Sequence, residues 1–405
     1  MAEEAKDNGT QQRIPAAQVL TVFLRLGLTS FGGPVAHLGY FREEFVVRRK
    51  WLDERAYVDL VALCQFLPGP ASSQVGIGIG LAKGGVVGAL AAWTGFTLPS
   101  ALVLILFGFG IAALGDGMAG GWLHGLKVVA VAVVAQAVWG MARSLCPDAP
   151  RASVAVAASL VVLAWPTPVA QVGVILAGGL AGLSLAKSTA EGEYAALSAG
   201  VTRSWAVAAL ITFFALLVGL PVVAALIPDQ SLALIDSFYR SGSLVFGGGH
   251  VVLPLLQSEV VPSGWVGNDA FMAGYGAAQA VPGPLFTFAA YLGTVMGPVP
   301  NGWAGAVICL LAVFAPSFLL VVGVLPFWDQ LRRVQLVRRA LVGVNAAVVG
   351  LLLAALYHPV WTSAIFTPGD FGLALAAFVL LVLWKVPPWL VVMLCAAGGA
   401  GLGML

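Results

Sequence analysis

The stretch FLRLGLTSFGGP, residues 23–34, decides the fold because it occurs twice. Phe23-x-Arg25-x-Gly27-x-x-x-Phe31-Gly32-Gly33 returns as Phe238-x-Arg240-x-Gly242-x-x-x-Phe246-Gly247-Gly248. The match runs on. Glu44 pairs with Glu259, Trp51 with Trp265 after a one-residue slip, and Gln65-x-x-Pro68-Gly69-Pro70 with Gln279-x-x-Pro282-Gly283-Pro284. More loosely, Phe96-Thr-Leu-Pro99-Ser100 matches Phe314-Ala-Pro316-Ser317. Spacings held over about 90 residues imply two homologous halves.

Both halves read as membrane segments. Of 405 residues 60% are hydrophobic and 9% charged, with mean hydropathy +0.96. A soluble chain carries about 25% charged residues. The expected fold is therefore an all-α polytopic membrane protein. The first 14 residues are polar, so no removable signal peptide is expected. In the first half, residues 15–31 and 34–48 form a helix pair broken at the glycines. Residues 56–68 and 70–83 form a second pair, broken at Pro-Gly-Pro. Segments near 86–113, 121–144, 152–165 and 168–186 follow. The second half repeats this at 230–247, 250–261, 270–282, 284–297, 302–327, 340–357, 371–384 and 388–404. Segment 204–227 has no counterpart. The boundaries expected are a polar tail at 1–11, one repeat at 12–187, a linker with a transmembrane helix at 188–227, and a second repeat at 228–405.

Basic residues give the orientation. Loop 42–55 carries Arg42, Arg48, Arg49, Lys50 and Arg55, while its counterpart 257–269 has no Lys or Arg. Loop 328–339 carries Arg332, Arg333, Arg338 and Arg339; its counterpart 114–126 has none. Basic loops stay in the cytoplasm, so equivalent loops lie on opposite sides. The repeats are expected to be inverted, with 204–227 supplying the odd crossing.

Broken helices at membrane depth are tolerated where they line a cavity, and in inverted-repeat transporters their half-helix N-termini bind substrate. Pro34, Pro70 and Pro284 suit the first turn of a helix, and the remaining break runs Gly247-Gly248-Gly249-His250. A helix N-terminus offers unpaired N–H groups and a positive dipole end, which together attract an anion. Gly32, Gly33, Gly69, Gly247, Gly248 and Gly283 let the backbone approach an oxyanion closely. Ser72, Ser73 and Thr287 supply hydroxyls, Gln65 and Gln279 matched amides, and His250 a titrating group. Residues 28, 29 and 32 share a helix face with Arg25, so Arg25 and Arg240 are expected to face the breaks and compensate a dianion.

Each residue also has a structural reading. An arginine pairs with Asp236, Glu44, Glu259 or Asp59, or snorkels to an interface. The glycines are close-packing devices, the hydroxyls bond back to the backbone, and the glutamines staple a hairpin. Glu44, Glu259 and Asp59 are candidates for proton coupling or for ion pairs beside the basic loops. His37 ranks below His250, while His124 and His358 read as loop residues.

Other chemistry finds little support. There is no HExxH, GxSxG or His/Cys cluster for an enzyme. Cys64, Cys146, Cys309 and Cys395 read as packing residues. The run from Gly76 to Gly84 lacks the Gly-Lys-Ser/Thr of a phosphate loop. No cofactor and no nucleic-acid partner is expected; the lipid bilayer is the surrounding partner. A homodimer is compatible with the sequence, which does not demonstrate one.

The doubled Phe-Gly-Gly and Pro-Gly-Pro motifs, together with the length, make the chain resemble the chromate ion transporter family in its long, two-domain form. The resemblance implies efflux of chromate from the bacterial cytoplasm across the inner membrane, giving chromate resistance, with sulfate as analogue and competitor. A transporter or exchanger of sulfate or another small anion is the alternative on the same scaffold, and an anion channel a remoter one. A dianion leaving a negative interior gains roughly 4.6 kcal/mol per 100 mV, so no ATPase is required.

Overall fold

The computed structural model describes residues 13–114, 120–185 and 201–403. The expected tail 1–11, residues 115–119 of the loop 114–126, and most of the linker before residue 201 lie outside the described residues. Among the described residues all regular structure is helical, and five helices are long and apolar enough to cross a membrane.

The first two segments are too short for that. Helix α1 (Ala16–Thr29) rises about 21 Å, against a hydrocarbon core of about 30 Å. It stops at the glycines, and α2 (Gly33–Arg42) continues as a π-turn through Glu43–Arg48. Phe23, halfway along α1, packs on Phe41 and Phe45 with ring centroids 5.6 and 4.9 Å apart. So α2 folds back along α1. Asp53 caps α3 (Glu54–Phe66) by accepting from the Ala56 amide at 2.8 Å. After Pro-Gly-Pro comes α4 (Ala71–Leu114), bent sharply at Gly85 (φ +65°, ψ −158°). The bend brings Gly80 against the carbonyl of Gly88. Helices α5 (Gly120–Leu145), α6 (Ala149–Ala164) and α7 (Pro168–Leu185) complete the first half.

Helix α8 (Arg203–Leu226) stands at the periphery. Trp205, Ile211, Phe214, Val218 and Leu226 are exposed, while Ala206 and Phe213 are buried. The second half then runs α9 (Gln230–Ser243), a tight 3-10 turn at Gly249–Val251 leading into α10 (Val252–Val260), and α11 (Asn268–Ala278). A second tight turn, Leu285–Thr287, leads into α12 (Phe288–Val295), followed by α13 (Gly302–Val324) and the short α14 (Trp328–Leu331). Last come α15 (Gln335–Ala355), α16 (Pro368–Val382) and α17 (Pro388–Leu402).

Packing follows the motif matches. A Cβ on Gly27 would meet the carbonyls of Gly95 and Phe96 on α4; one on its match Gly242 would meet the carbonyl of Val313 on α13. Each half also lends helices to the other. Gly121 and Gly125 of α5 lie against Gly399 and Cys395 of α17, and Gly343 of α15 lies against Gly178 and Gly182 of α7. Without a hydrophobic drive between helices in lipid, such small residues allow the close approach that holds them together.

Ion pairs sort the loops. Arg332 reaches Asp59 at 2.6 Å, and Arg42 reaches Glu54 at 2.7 Å, so the two arginine-rich loops share one end of the molecule. Lys127 pairs with Asp269 at 3.0 Å, joining the helix starts after the two poor loops. The four cysteines are free.

Candidate anion site at the helix breaks

Six break glycines adopt positive φ: Gly32 (99°), Gly33 (74°), Gly69 (121°), Gly247 (75°), Gly248 (154°) and Gly283 (98°). A side chain is strained there, which is why the motif needs glycine. The breaks are tied together in a reciprocal way. The Gly69 amide donates to the Val245 carbonyl at 2.7 Å, and the Gly283 amide to the Ser30 carbonyl at 3.0 Å. Gly69 matches Gly283, and Ser30 matches Val245, so each Pro-Gly-Pro turn of one half holds the glycine break of the other. Pro34 and its match Gly249 face each other: a Cβ on Gly249 would lie 3.3 Å from Pro34 Cγ.

This corrects one expectation. The amides of Gly69 and Gly283 are engaged in these bonds and are not free for a ligand. The amides of Gly32, Gly33, Gly247 and Gly248 meet no acceptor among the described residues, and Gly32 and Gly247 are exposed. Unpaired donors at exposed helix starts make an anion site.

The charged candidates separate. Arg240 is held at 2.6 Å by Glu259 and at 2.8 Å by Asp236 one turn earlier. Ser237 also donates to Glu259 at 3.0 Å. Its charge is therefore answered by two carboxylates and is not offered to the breaks. Arg25 is exposed, beside Leu24, Leu28 and Thr29, and has no ion pair among the described residues. Glu44, the match of Glu259, turns instead to Arg49 (2.6 Å) and Arg48 (3.5 Å). The difference follows from the loops, since 42–55 carries arginines within reach and 257–269 carries none. Asp59 is buried between Arg332 and Trp328 Nε1, which donates to it at 3.0 Å. All three acidic candidates thus sit in hydrogen-bonded or ionic contacts.

The polar candidates are distributed around the turns. Ser72 Oγ lies 3.3 Å from Nδ1 of His37, whose Nε2 lies 3.2 Å from the Ser30 carbonyl. Ser73 is buried with no partner among the described residues. Thr287 donates to the Pro284 carbonyl at 2.7 Å. Gln65 is exposed, and Gln279 donates to the Tyr275 carbonyl at a long 3.5 Å. His250 Nδ1 lies 2.7 Å from the Tyr275 hydroxyl.

Of three residues near the first turn, the sequence reading missed Gln74, ranked His37 below His250 and named Ser317 only as part of the repeat match. His37 joins both hairpins of the first half. Gln74 donates to the Pro68 carbonyl at 2.6 Å, and Ser317 Oγ lies 2.9 Å from where a Gly69 Cβ would be. Gln74 lies one turn after Pro-Gly-Pro and its match in the second half is Phe288, which was the available signal.

A cavity of about 380 Å³ lies away from the breaks, at the end where Lys127 meets Asp269. Ile111, Ala273 and His124 also line it. The matches of Ile111 and Ala273 at the other end are Trp328 and Asp59, which bond to each other and fill the equivalent space. The Lys127 end thus holds a cavity where Trp328, Asp59 and Arg332 close on one another at the other end.

The family model described as chromate transporter matches residues 17–183 and 232–401. A chromate transport protein of Pseudomonas aeruginosa is 29% identical over 399 residues, 95% of this chain and 91% of that protein. A chromate transport protein of Cupriavidus metallidurans is 26% identical, covering 84% and 81%. An uncharacterized transporter of Bacillus subtilis is 31% identical over 180 residues, which is 42% of this chain but 85% of that protein. No solved structure gives a significant match.

Proposed function

The chain belongs to the chromate transporter family, and from that premise we propose that it is a secondary transporter carrying chromate out of the bacterial cytoplasm across the inner membrane, so conferring chromate resistance. The named chromate transport proteins support the substrate. The observation that carries the mechanism is the reciprocal pair, Gly69 to Val245 and Gly283 to Ser30. In this reading it gathers four half-helix starts around a pseudo-twofold axis, with unpaired amides exposed at Gly32 and Gly247.

In this reading residues 12–187 and 228–405 are inverted repeats joined by α8, and the half-length Bacillus relative supports that division. The oxyanion binds where the breaks meet. Arg25 sits about 14 Å along α1, too deep for an exposed cation to face lipid at low cost. It therefore lines a watery approach to the Gly32 break and draws the anion in. Arg240 is structural. The sealed end, at Trp328, Asp59 and Arg332, is cytoplasmic, and the cavity at Lys127 opens outward. Alternating between this state and its converse moves the anion, and the membrane potential favours exit of negative charge.

The test is chromate flux in proteoliposomes holding the purified protein, under an imposed potential and with sulfate as competitor. Saturable flux, faster toward the positive side, supports export. Saturable sulfate flux with no chromate flux would move the reading to the sulfate alternative.

A further inference from the structure

The two halves differ in what surrounds their Pro-Gly-Pro turns. Around the two turns six buried polar groups have no partner among the described residues, with Gln74 and Ser317 against Gly69 of the first turn and Ser30 beside Gly283 of the second. They are the hydroxyls of Ser30, Ser73, Thr97 and Ser317, the indole N–H of Trp93, and Oε1 of Gln74. Buried polar groups are nearly always paired, so such a cluster requires a cause.

Ser73, Gln74 and Ser317 meet at the first turn. Ser73 and Gln74 sit in the first turn of α4. Ser317 Oγ and Gln74 Nε2 lie 2.9 and 2.6 Å from the Cβ position of Gly69. The Trp93 ring packs on Phe314 and Phe318, which flank Ser317 on α13, at 5.6 and 5.7 Å. Thr97 follows Phe96, whose ring lies 5.2 Å from His37, and His37 bridges Ser72 and the Ser30 carbonyl. At the second turn the matches of Ser72 and Gln74 are apolar and buried, Phe286 and Phe288. Thr287, the match of Ser73, satisfies itself on Pro284.

The chemistry of the six groups is uneven. The Trp93 N–H only donates, the four hydroxyls can donate or accept, and Gln74 Oε1 only accepts. Donation from Nε2 to the Pro68 carbonyl fixes the amide, because the flipped amide would set oxygen against oxygen. Five groups able to donate and one that can only accept fit an oxyanion that carries one proton. No free cation accompanies the cluster, since Arg240 is held by two carboxylates and Arg25 is exposed. A monoanion is less costly to bury there than a dianion.

We propose that the oxyanion binds off the pseudo-twofold axis, at the start of α4, in its monoprotonated form, and that Gln74 selects this form by accepting its O–H. Ser73 and Ser317 donate to its bare oxygens. This rests on the transport reading above. Chromate takes up its first proton near neutrality, sulfate only in strong acid, so Gln74 discriminates between two ions of the same shape.

The titratable groups on the elements around the start of α4 are Arg25 on α1, His37, Tyr40 and Arg42 on α2, Glu54, Arg55, Tyr57, Asp59 and Cys64 on α3, Lys83 on α4 itself, and Asp269 and Tyr275 on α11. Asp236, Tyr239 and Arg240 lie on α9, Tyr291 on α12 and Cys309 on α13. Of these His37 contacts the cluster directly. Its titration would move chromate and sulfate transport alike, so sulfate serves as the control.

Initial rates of chromate and sulfate flux are measured in proteoliposomes across the neutral pH range for the wild type, Gln74→Leu and Ser317→Ala. Wild-type chromate flux rises as pH falls, sulfate flux does not, and sulfate competes weakly. Gln74→Leu raises the chromate KM roughly tenfold at the acidic end and flattens the profile, whereas Ser317→Ala raises KM at every pH and leaves its shape. Chromate flux independent of pH, sulfate competing as strongly as chromate, or an unaltered profile in Gln74→Leu overturns the proposal. If Gln74→Leu does not fold, the wild-type comparison of the two ions decides alone. Absence of any chromate flux in the wild type defeats the transport reading instead.

Discussion

The amide of Gly69 donates to the carbonyl of Val245 across the two halves of the chain. Its mirror, Gly283 to Ser30, makes the centre of the molecule a closed ring of four broken helices. Replacing Gly69 with alanine strikes this ring twice. It forces a side chain to φ +121°, and the methyl meets Ser317 Oγ and Gln74 Nε2. The left-handed conformation alone costs about 1–2 kcal/mol, and the contacts add to it. Gly69→Ala and Gly283→Ala are both expected to unfold at lower temperature than the wild type in detergent. An unchanged melting temperature for both would mean that the ring is not rigid.

Arg240 is expected to matter for stability and little for substrate. Arg240→Ala leaves Asp236 and Glu259 facing each other partly buried, with a loss of roughly 3–5 kcal/mol. The triple change Arg240→Leu, Asp236→Leu, Glu259→Gln should recover most of this loss. It should also restore flux, which it would not do if the guanidinium held the anion.

Arg25 is expected to behave in the opposite way. With no ion pair among the described residues, Arg25→Ala should leave the melting temperature near the wild-type value. It should lower kcat/KM for chromate roughly tenfold at low salt, through lost electrostatic attraction. An effect that does not shrink as salt is raised would argue against an approach role.

The sealed end offers a separate test. Trp328→Ala removes the ring that fills the space between α3 and α14, and Asp59→Asn weakens its pair with Arg332. Cys64, fully buried on α3, should then react faster with a small maleimide in a Cys146→Ser background. Unaltered reactivity in both variants would mean that this cluster does not seal the path.

Much of this architecture was legible in the chain. The doubled motifs, the break positions and the all-helical membrane class follow from glycine, proline and hydropathy, which act locally. The partners of the breaks were not legible, because Gly69 meets Val245 only after two hairpins fold back. Arg240 could be read either way: Asp236 stands one turn before it, and only the lack of arginines in loop 257–269 leaves Glu259 to it as well. Gln74 stayed hidden because its role depends on α13 bringing Ser317 beside Gly69, a contact separated by more than 240 residues in sequence.

The claim that the breaks hold the anion is tested most directly by one matched pair. Gly33 and Gly85 both have positive φ, 74° and 65°, and a Cβ on either meets nothing within 4 Å. Both Gly33→Ala and Gly85→Ala force a side chain to positive φ, at Gly85 with ψ −158° in a region essentially reserved for glycine, but only the first sets a methyl among the break amides. In chromate flux into proteoliposomes, Gly33→Ala should lose most of the wild-type rate and Gly85→Ala should keep most of it. Equal rates in the two variants would contradict an anion site at the breaks.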